Sequence, residues 1–454
     1  METSPGRFER PFDSIERFLL SLARASSALN REHWSVTVFA RFHMKAAVQD
    51  TESVLRHAWK TMRYDHPQLA SVAEGDTKIY EVPDSAALDA WLNDTFIVTP
   101  TSATKEELLA SIRPSALATL YFLPHTSEIV IHTSHWRIDL IGAFSLLQNL
   151  FDAMVHPRRV EFGDEGKNLS PSRDEAAKYC STESLESPAV VQERQKGATD
   201  LVMQLLNNLP SIGLPAHHIN QTPSGTRRAA VVLDTQTTSA VVFGCQKRGF
   251  TVTTALHAAL ITALQEATPV ALSSDSKYTA WGIFSVRRLL ETPWSSSARH
   301  PAAVYILGLP LSLHASTYEN LALQLKRFYK QRLPPSRNSD LRGDIIVPYT
   351  RHMADLAGQP PPAELPVASE PILSSGGIVD DYLQHDFGET LQVEDFWIGV
   401  EMMTAQVVCY LWTWQGKMTL SACYNERYYD LGFIQNFLER IISILHTELA
   451  IRVN

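Results

Sequence analysis

The stretch SEIVIHTSHWRIDLIGAFSLLQNLF, Ser127 to Phe151, changes its hydrophobic period partway along. Up to His135 the side chains alternate as in a strand, with Ile129, Ile131, Thr133 and His135 on one face and Val130, His132 and Ser134 on the other. Beyond it, Leu140, Phe144, Leu147, Phe151 and Met154 recur at helical spacing, which predicts a core helix from about Leu140 with Asp139 at its start. His135 and Asp139 therefore stand four residues apart where a strand hands over to a helix. His132 and His135 face apart, which argues against a metal pair.

A neutral imidazole at that junction can take the proton of an alcohol or amine attacking a carbonyl, since the ordinary histidine pKa lies near working pH. The same two residues also read as a satisfied strand-end histidine and a helix N-cap, and the HxxxD spacing alone does not separate the readings.

Working outward, HWSVTVFARFHM (His33 to Met44) has strand composition, Gln49 to His66 carries apolar residues at helical spacing, and ALATLYFL pairs with EIVIHTSH as a hairpin. Val160 to Gly197 is acidic, Ser-rich and poor in aromatics, and reads as a linker or long surface excursion. The expected division is 1–175, a crossover 176–215, and 216–454. The second part gives strands RRAAVVLD, YTAWGIFSVRR and AAVYILGLPLSL. Its helices are TTALHAALITALQEA, capped by Thr253 or Thr254, and TYENLALQLKRFYKQR. A hairpin around QGK follows, and then a last helix behind Asp430. Each half mixes strands with amphipathic helices, an α/β pattern. If the QGK loop is symmetric about Gly416, Cys409 and Cys423 lie opposite each other.

At 454 residues with 44% apolar and 20% charged, the chain can bury a large core, and two domains are the default. The net charge of −9, without clustered Lys and Arg, turns the reading from nucleic acid and membranes to a small molecule or protein partner. No apolar run spans a bilayer, and charges interrupt the N-terminus where a signal would be apolar, so a cytosolic location is expected. The four cysteines, Cys180, Cys245, Cys409 and Cys423, lack CxxC spacing and read as reduced structural thiols, with no metal site.

The stretch SHWRIDLIGAFSLL resembles the HxxxDG motif of the condensation-domain and BAHD acyltransferase superfamily, and is most similar to its fungal trichothecene 15-O-acetyltransferase-like branch. KRGFTVTTALHAAL, FSVRRLL, DFWIGVE (Asp395 to Glu401, against the family's DFGWG) and SACYNERYYD follow in the family's order. The resemblance runs over nearly the whole chain, on a few short motifs.

It implies two chloramphenicol-acetyltransferase-like domains with mixed sheets flanked by helices, a channel between them, and His135 as general base. It implies that Asp139 is structural and pairs with a strand arginine of the second half, Arg287 rather than Arg288, in a bidentate pair. Asp395 would take whichever arginine Asp139 leaves free. Trp397 either lines the channel's far side or is plain core. Two departures stand out: Leu140 replaces the motif glycine, with Gly142 two residues late, and Trp397 replaces the glycine of DFGWG. Leu140 would narrow the channel or favour an apolar acceptor.

Ser134 occupies the place of the first histidine of the peptide-forming HHxxxDG, which favours a free-standing acyltransferase. The expected reaction is transfer of an acyl group, acetyl first, from a coenzyme A thioester to a hydroxyl, or second an amine, of a small apolar secondary metabolite. No tightly bound cofactor is expected, acyl-coenzyme A being a co-substrate, and the expected state is a monomer. Lys326, Arg327, Lys330 and Arg332 are candidates for coenzyme A's phosphates or a solvated helix face. Two rivals remain: a donor-free cyclisation on the same fold, and a non-catalytic interaction protein.

Overall fold

Strand Glu128–Thr133 is buried at all six positions because both of its faces are covered. It lies in a six-stranded sheet whose order is Asp386–Phe387, Leu391–Val400, Val36–Met44, Glu128–Thr133, Thr119–Leu123, Phe96–Val98. Under one face, helix Leu140–Val155 brings Phe144 edge-on to Phe396 at 5.7 Å and Phe151 to Phe42 at 5.8 Å. Phe144, Leu147, Leu150 and Phe151 are fully enclosed there. Each contributes about 2 kcal/mol by burial. On the other face Phe39 and Val130 pack with Leu108, Ile112 and Leu123.

This computed structural model describes residues 1–45, 50–100, 104–177, 187–268, 271–331, 340–359 and 366–451. Cys180 and Arg332 lie outside that set. The chain forms two compact units, the first from Met1–Ser184, Ser285–Ile306 and Asp380–Val400, the second from Leu185–Phe284, Leu307–Val379 and Glu401–Asn454. The segments carrying Arg287 and DFWIG, assigned above to 216–454, thus pack in the first unit. The reason is pairing: Leu391–Val400 is hydrogen-bonded along Val36–Met44 and inherits that strand's unit.

In the first unit a second sheet runs Glu2–Ser4, Arg7–Pro11, Thr77–Glu81, Val72–Glu74. The acidic stretch after Val160 is in part interior rather than linker. Glu165 accepts from the Tyr80 hydroxyl at 2.7 Å, and the buried Arg173 and Asp174 join Ser14. Pairing satisfies charges that composition alone assigns to solvent. Pro188–Leu206, within the expected crossover, is a helix.

In the second unit a four-stranded sheet runs Pro371–Ile378, Val407–Trp414, Lys417–Asn425, Thr226–Val232, flanked by helices Val252–Ala267 and Leu431–Glu448. Thr251, not Thr253 or Thr254, caps the first of these helices, its hydroxyl accepting from Thr254 N. The hairpin turns on two residues, Gln415 and Gly416, both at positive φ (50° and 69°), as a tight right-twisted hairpin requires. Trp414 therefore pairs with Lys417, and Cys409 faces Ala422 while Cys423 faces Val408, one step off the symmetric register. Both thiols are buried, and neither forms a disulfide among the described residues.

Candidate active site

Strand Glu128–Thr133 ends in a single 3-10 turn, His135–Arg137, before the helix starting at Leu140. Arg137 fixes that turn. Its fully buried guanidinium donates to the carbonyls of Gln68 (2.9 Å), Ser71 (2.8 Å) and Ala116 (2.9 Å) and to Thr133 Oγ1 (2.5 Å), and it lies 4.1 Å from the Trp136 ring. Burial lowers its pKa to about 10, against the opposing pull of the Glu32 carboxylate. It is a cation spent on holding backbone.

His135 is partly exposed, unlike its neighbours Ser134 and Trp136. Of its ring nitrogens Nδ1 is enclosed without a hydrogen-bond partner, and the carbonyls of its own residue and Ile138 act on the ring. Burial depresses the pKa, opposed by the same carbonyls and by Asp139. The imidazole is thus neutral near pH 7, the form a base needs.

Asp139 unites the two readings its position allowed. It caps the helix, Oδ1 accepting from Gly142 N at 2.7 Å, and Oδ2 accepts from Tyr305 N at 2.8 Å. Arg287 Nη2 donates to both carboxylate oxygens, at 3.2 and 3.0 Å, so the pair is a single nitrogen shared by two oxygens rather than the expected two-pronged fork. The other prong, Nη1, is taken by the His300 carbonyl at 3.0 Å. Arg287 stands on the turn Arg287–Leu289 just after its strand, within the first unit, so the pair is internal to that unit. Both residues are buried, while Arg288 is exposed.

The glycine requirement has moved along the helix. A Cβ on Gly142 would lie 2.1 Å from the Pro301 carbonyl oxygen and 3.1 Å from Arg287 Nη2, so this residue makes the close backbone approach. Leu140, at the motif glycine's position, is the first helical residue and is half-buried. Asp395 sits on Leu391–Val400 opposite Arg41, while the Arg287 side chain is committed to Asp139 and the carbonyls of His300 and Ala303. Trp397 is partly exposed; it stacks on Phe39 at 5.4 Å and packs against the Leu108 cluster.

Two further residues of the site escaped the sequence reading. The segment Glu32–Ser35 lies against the histidine turn. Glu32 Oε2 accepts from the Ser134 hydroxyl at 2.9 Å, and the Trp34 ring lies 6.4 Å from that of His135. Glu32 Oε1 is enclosed without a partner, and burial raises the carboxyl's pKa against the pull of Ser134 and Arg137. The only local signal was a tryptophan between polar residues ahead of a strand. Among the described residues no helix is long and apolar enough to cross a membrane.

No family model matches the chain. Relatives do. The acetyltransferase pigO of Monascus ruber is 31% identical over 467 residues, 99% of this chain and 98% of that protein. The O-acetyltransferase pigM of the same organism is 31% identical over 463 residues, 100% of this chain and 88% of that protein. Among solved structures, the trichothecene 15-O-acetyltransferase TRI3 of Fusarium sporotrichioides superposes with a TM-score of 0.82 at 20% identity, over all of this chain and 98% of that one. The fold is that of the chloramphenicol-acetyltransferase-like condensation-domain superfamily, and the chain is an acyltransferase of that class. It belongs to the fungal acetyltransferase family that includes pigO and pigM.

Proposed function

We propose that the protein moves an acetyl or other short acyl group from a coenzyme A thioester to a hydroxyl, less readily an amine, of a small apolar secondary metabolite, with His135 as general base. The observation that carries this reading is the half-exposed His135, whose pKa burial depresses, on a turn locked by Arg137 and by the Asp139–Arg287 pair. Nε2 takes the acceptor's proton as its oxygen attacks the thioester carbonyl. The tetrahedral adduct then expels the coenzyme A thiolate, which recovers that proton from the imidazolium. No serine or cysteine nucleophile is required, and Asp139 holds the helix start without touching substrate. The names of the relatives support the acetyl group and the oxygen acceptor.

The test is His135→Ala assayed for thiol release from acetyl-coenzyme A in the presence of hydroxylated acceptors. Turnover should fall about 10²- to 10⁴-fold with the melting temperature unchanged. Full activity in that variant would remove the base assignment. Calorimetric titration with coenzyme A examines the donor separately: saturable binding to wild type and variant alike is expected, and its absence from both would favour the donor-free chemistry.

A further inference from the structure

Trp34 has a backbone φ of 65°, in the left-handed region that a residue with a Cβ enters at a cost and a bulky aromatic one rarely. It is the third residue of a four-residue turn closed by a bond from Ser35 N to the Glu32 carbonyl at 3.1 Å, the position that turns with positive φ give to Gly or Asn. Glu32, His33 and Ser35 are buried, and Trp34 alone of the four stays partly exposed. The turn is tied to the histidine loop by the Ser134 hydroxyl on Glu32, one residue before His135. A glycine would relieve the backbone there, so the indole has a use that outweighs the strain; it lies between the buried His33 ring at 5.3 Å and the partly exposed His135 imidazole, 6.4 Å away at 49°.

We propose that Trp34 is an acceptor-binding, specificity-determining residue: its indole is an aromatic wall beside His135 on which a flat, conjugated hydroxyl compound stacks, presenting its oxygen to Nε2. This rests on the reading of His135 as the site of proton transfer. An indole face favours a planar π-system over a saturated ring of equal size by stacking, an advantage of about tenfold at the strong end of aromatic pairs. The anchoring bond from Ser134 to Glu32 keeps the wall in register with the base.

The experiment compares binding of 2-naphthol and the saturated 2-decalol by calorimetry in wild type, Trp34→Phe, Trp34→Ala, Trp34→Gly and His135→Ala, with 2-naphthol acetylation from acetyl-coenzyme A followed in each. Wild type, Trp34→Phe and His135→Ala should prefer 2-naphthol about tenfold, and Trp34→Ala and Trp34→Gly should lose the preference. Trp34→Gly should melt no lower than Trp34→Ala, because glycine relaxes the strained backbone that alanine keeps. Equal binding of the two alcohols by wild type, no binding of either, or an undiminished preference in Trp34→Ala overturns the proposal. If His135→Ala still acetylates 2-naphthol while Trp34→Ala loses the preference, the base assignment fails and the aromatic wall stands.

Discussion

Replacing Asp139 by alanine separates a helix cap from a buried ion pair by size. The carboxylate satisfies Gly142 N, Tyr305 N and Arg287 Nη2 at 2.7, 2.8 and 3.0 Å. Losing a cap alone costs about 1 kcal/mol. Breaking a buried pair by removing one partner costs about 3–5 kcal/mol, because the remaining charge stays enclosed. Arg287 keeps its bonds to the His300 and Ala303 carbonyls, which holds that term to the lower end. The orphaned Tyr305 N–H adds roughly 1 kcal/mol. The terms overlap, so the expected total is about 4–5 kcal/mol by urea unfolding. Asp139→Asn, which keeps one acceptor oxygen and the shape, should cost about half of that. The cycle with Arg287→Met should return a coupling of about 2 kcal/mol or more. A cost near 1 kcal/mol for Asp139→Ala, with no coupling, would refute the ion-pair reasoning and leave only the cap.

Gly142→Ala should impair both folding and activity, because a methyl 2.1 Å from a backbone carbonyl forces the helix start away from Pro301; a loss of about 1–3 kcal/mol is expected on unfolding, and a wild-type melting curve would count against the close approach. Stability should also fall as pH drops below about 6.5. Burial holds His33, His66 and His257 down to about 3 and His132 and His300 to about 4, so the unfolded chain takes up protons there that the folded chain refuses. Glu370, pushed up to about 7 by burial, acts in the opposite sense. His257 is bonded on both nitrogens, to Tyr329 and Tyr278, so His257→Gln should flatten the decline between pH 6 and 5 by about 1.4 kcal/mol per pH unit, and an unchanged slope would contradict a neutral native His257.

The junction at His135 is legible in the sequence because a change of period from alternation to helical spacing is a local property, and so is the cap at Asp139. The choice of Arg287 over Arg288 is legible only through the family resemblance, since two adjacent arginines differ in direction and not in kind. What stays hidden depends on backbone conformation and on distant carbonyls. Arg137 is a charged residue that the interior satisfies with acceptors from three separate stretches of chain, around Gln68–Ser71, at Ala116 and at Thr133, and Gly142 matters because of Pro301, which no local pattern connects to it. Trp34 sits at a backbone angle that its identity argues against. The hairpin register slips by one because the turn's centre falls between two residues rather than on Gly416.

The first unit is assembled from three separated pieces of chain. During synthesis, the histidine motif leaves the ribosome long before Arg287 and longer still before Leu391–Val400, the strand that pairs along Val36–Met44. Until then Val36–Met44 presents an open sheet edge and Asp139 has no arginine, a state exposed to wrong pairing. Folding of the histidine unit therefore waits for Leu391–Val400 and depends on long-range closures. A fragment ending at the crossover would carry the whole motif and still be unable to build the site around it.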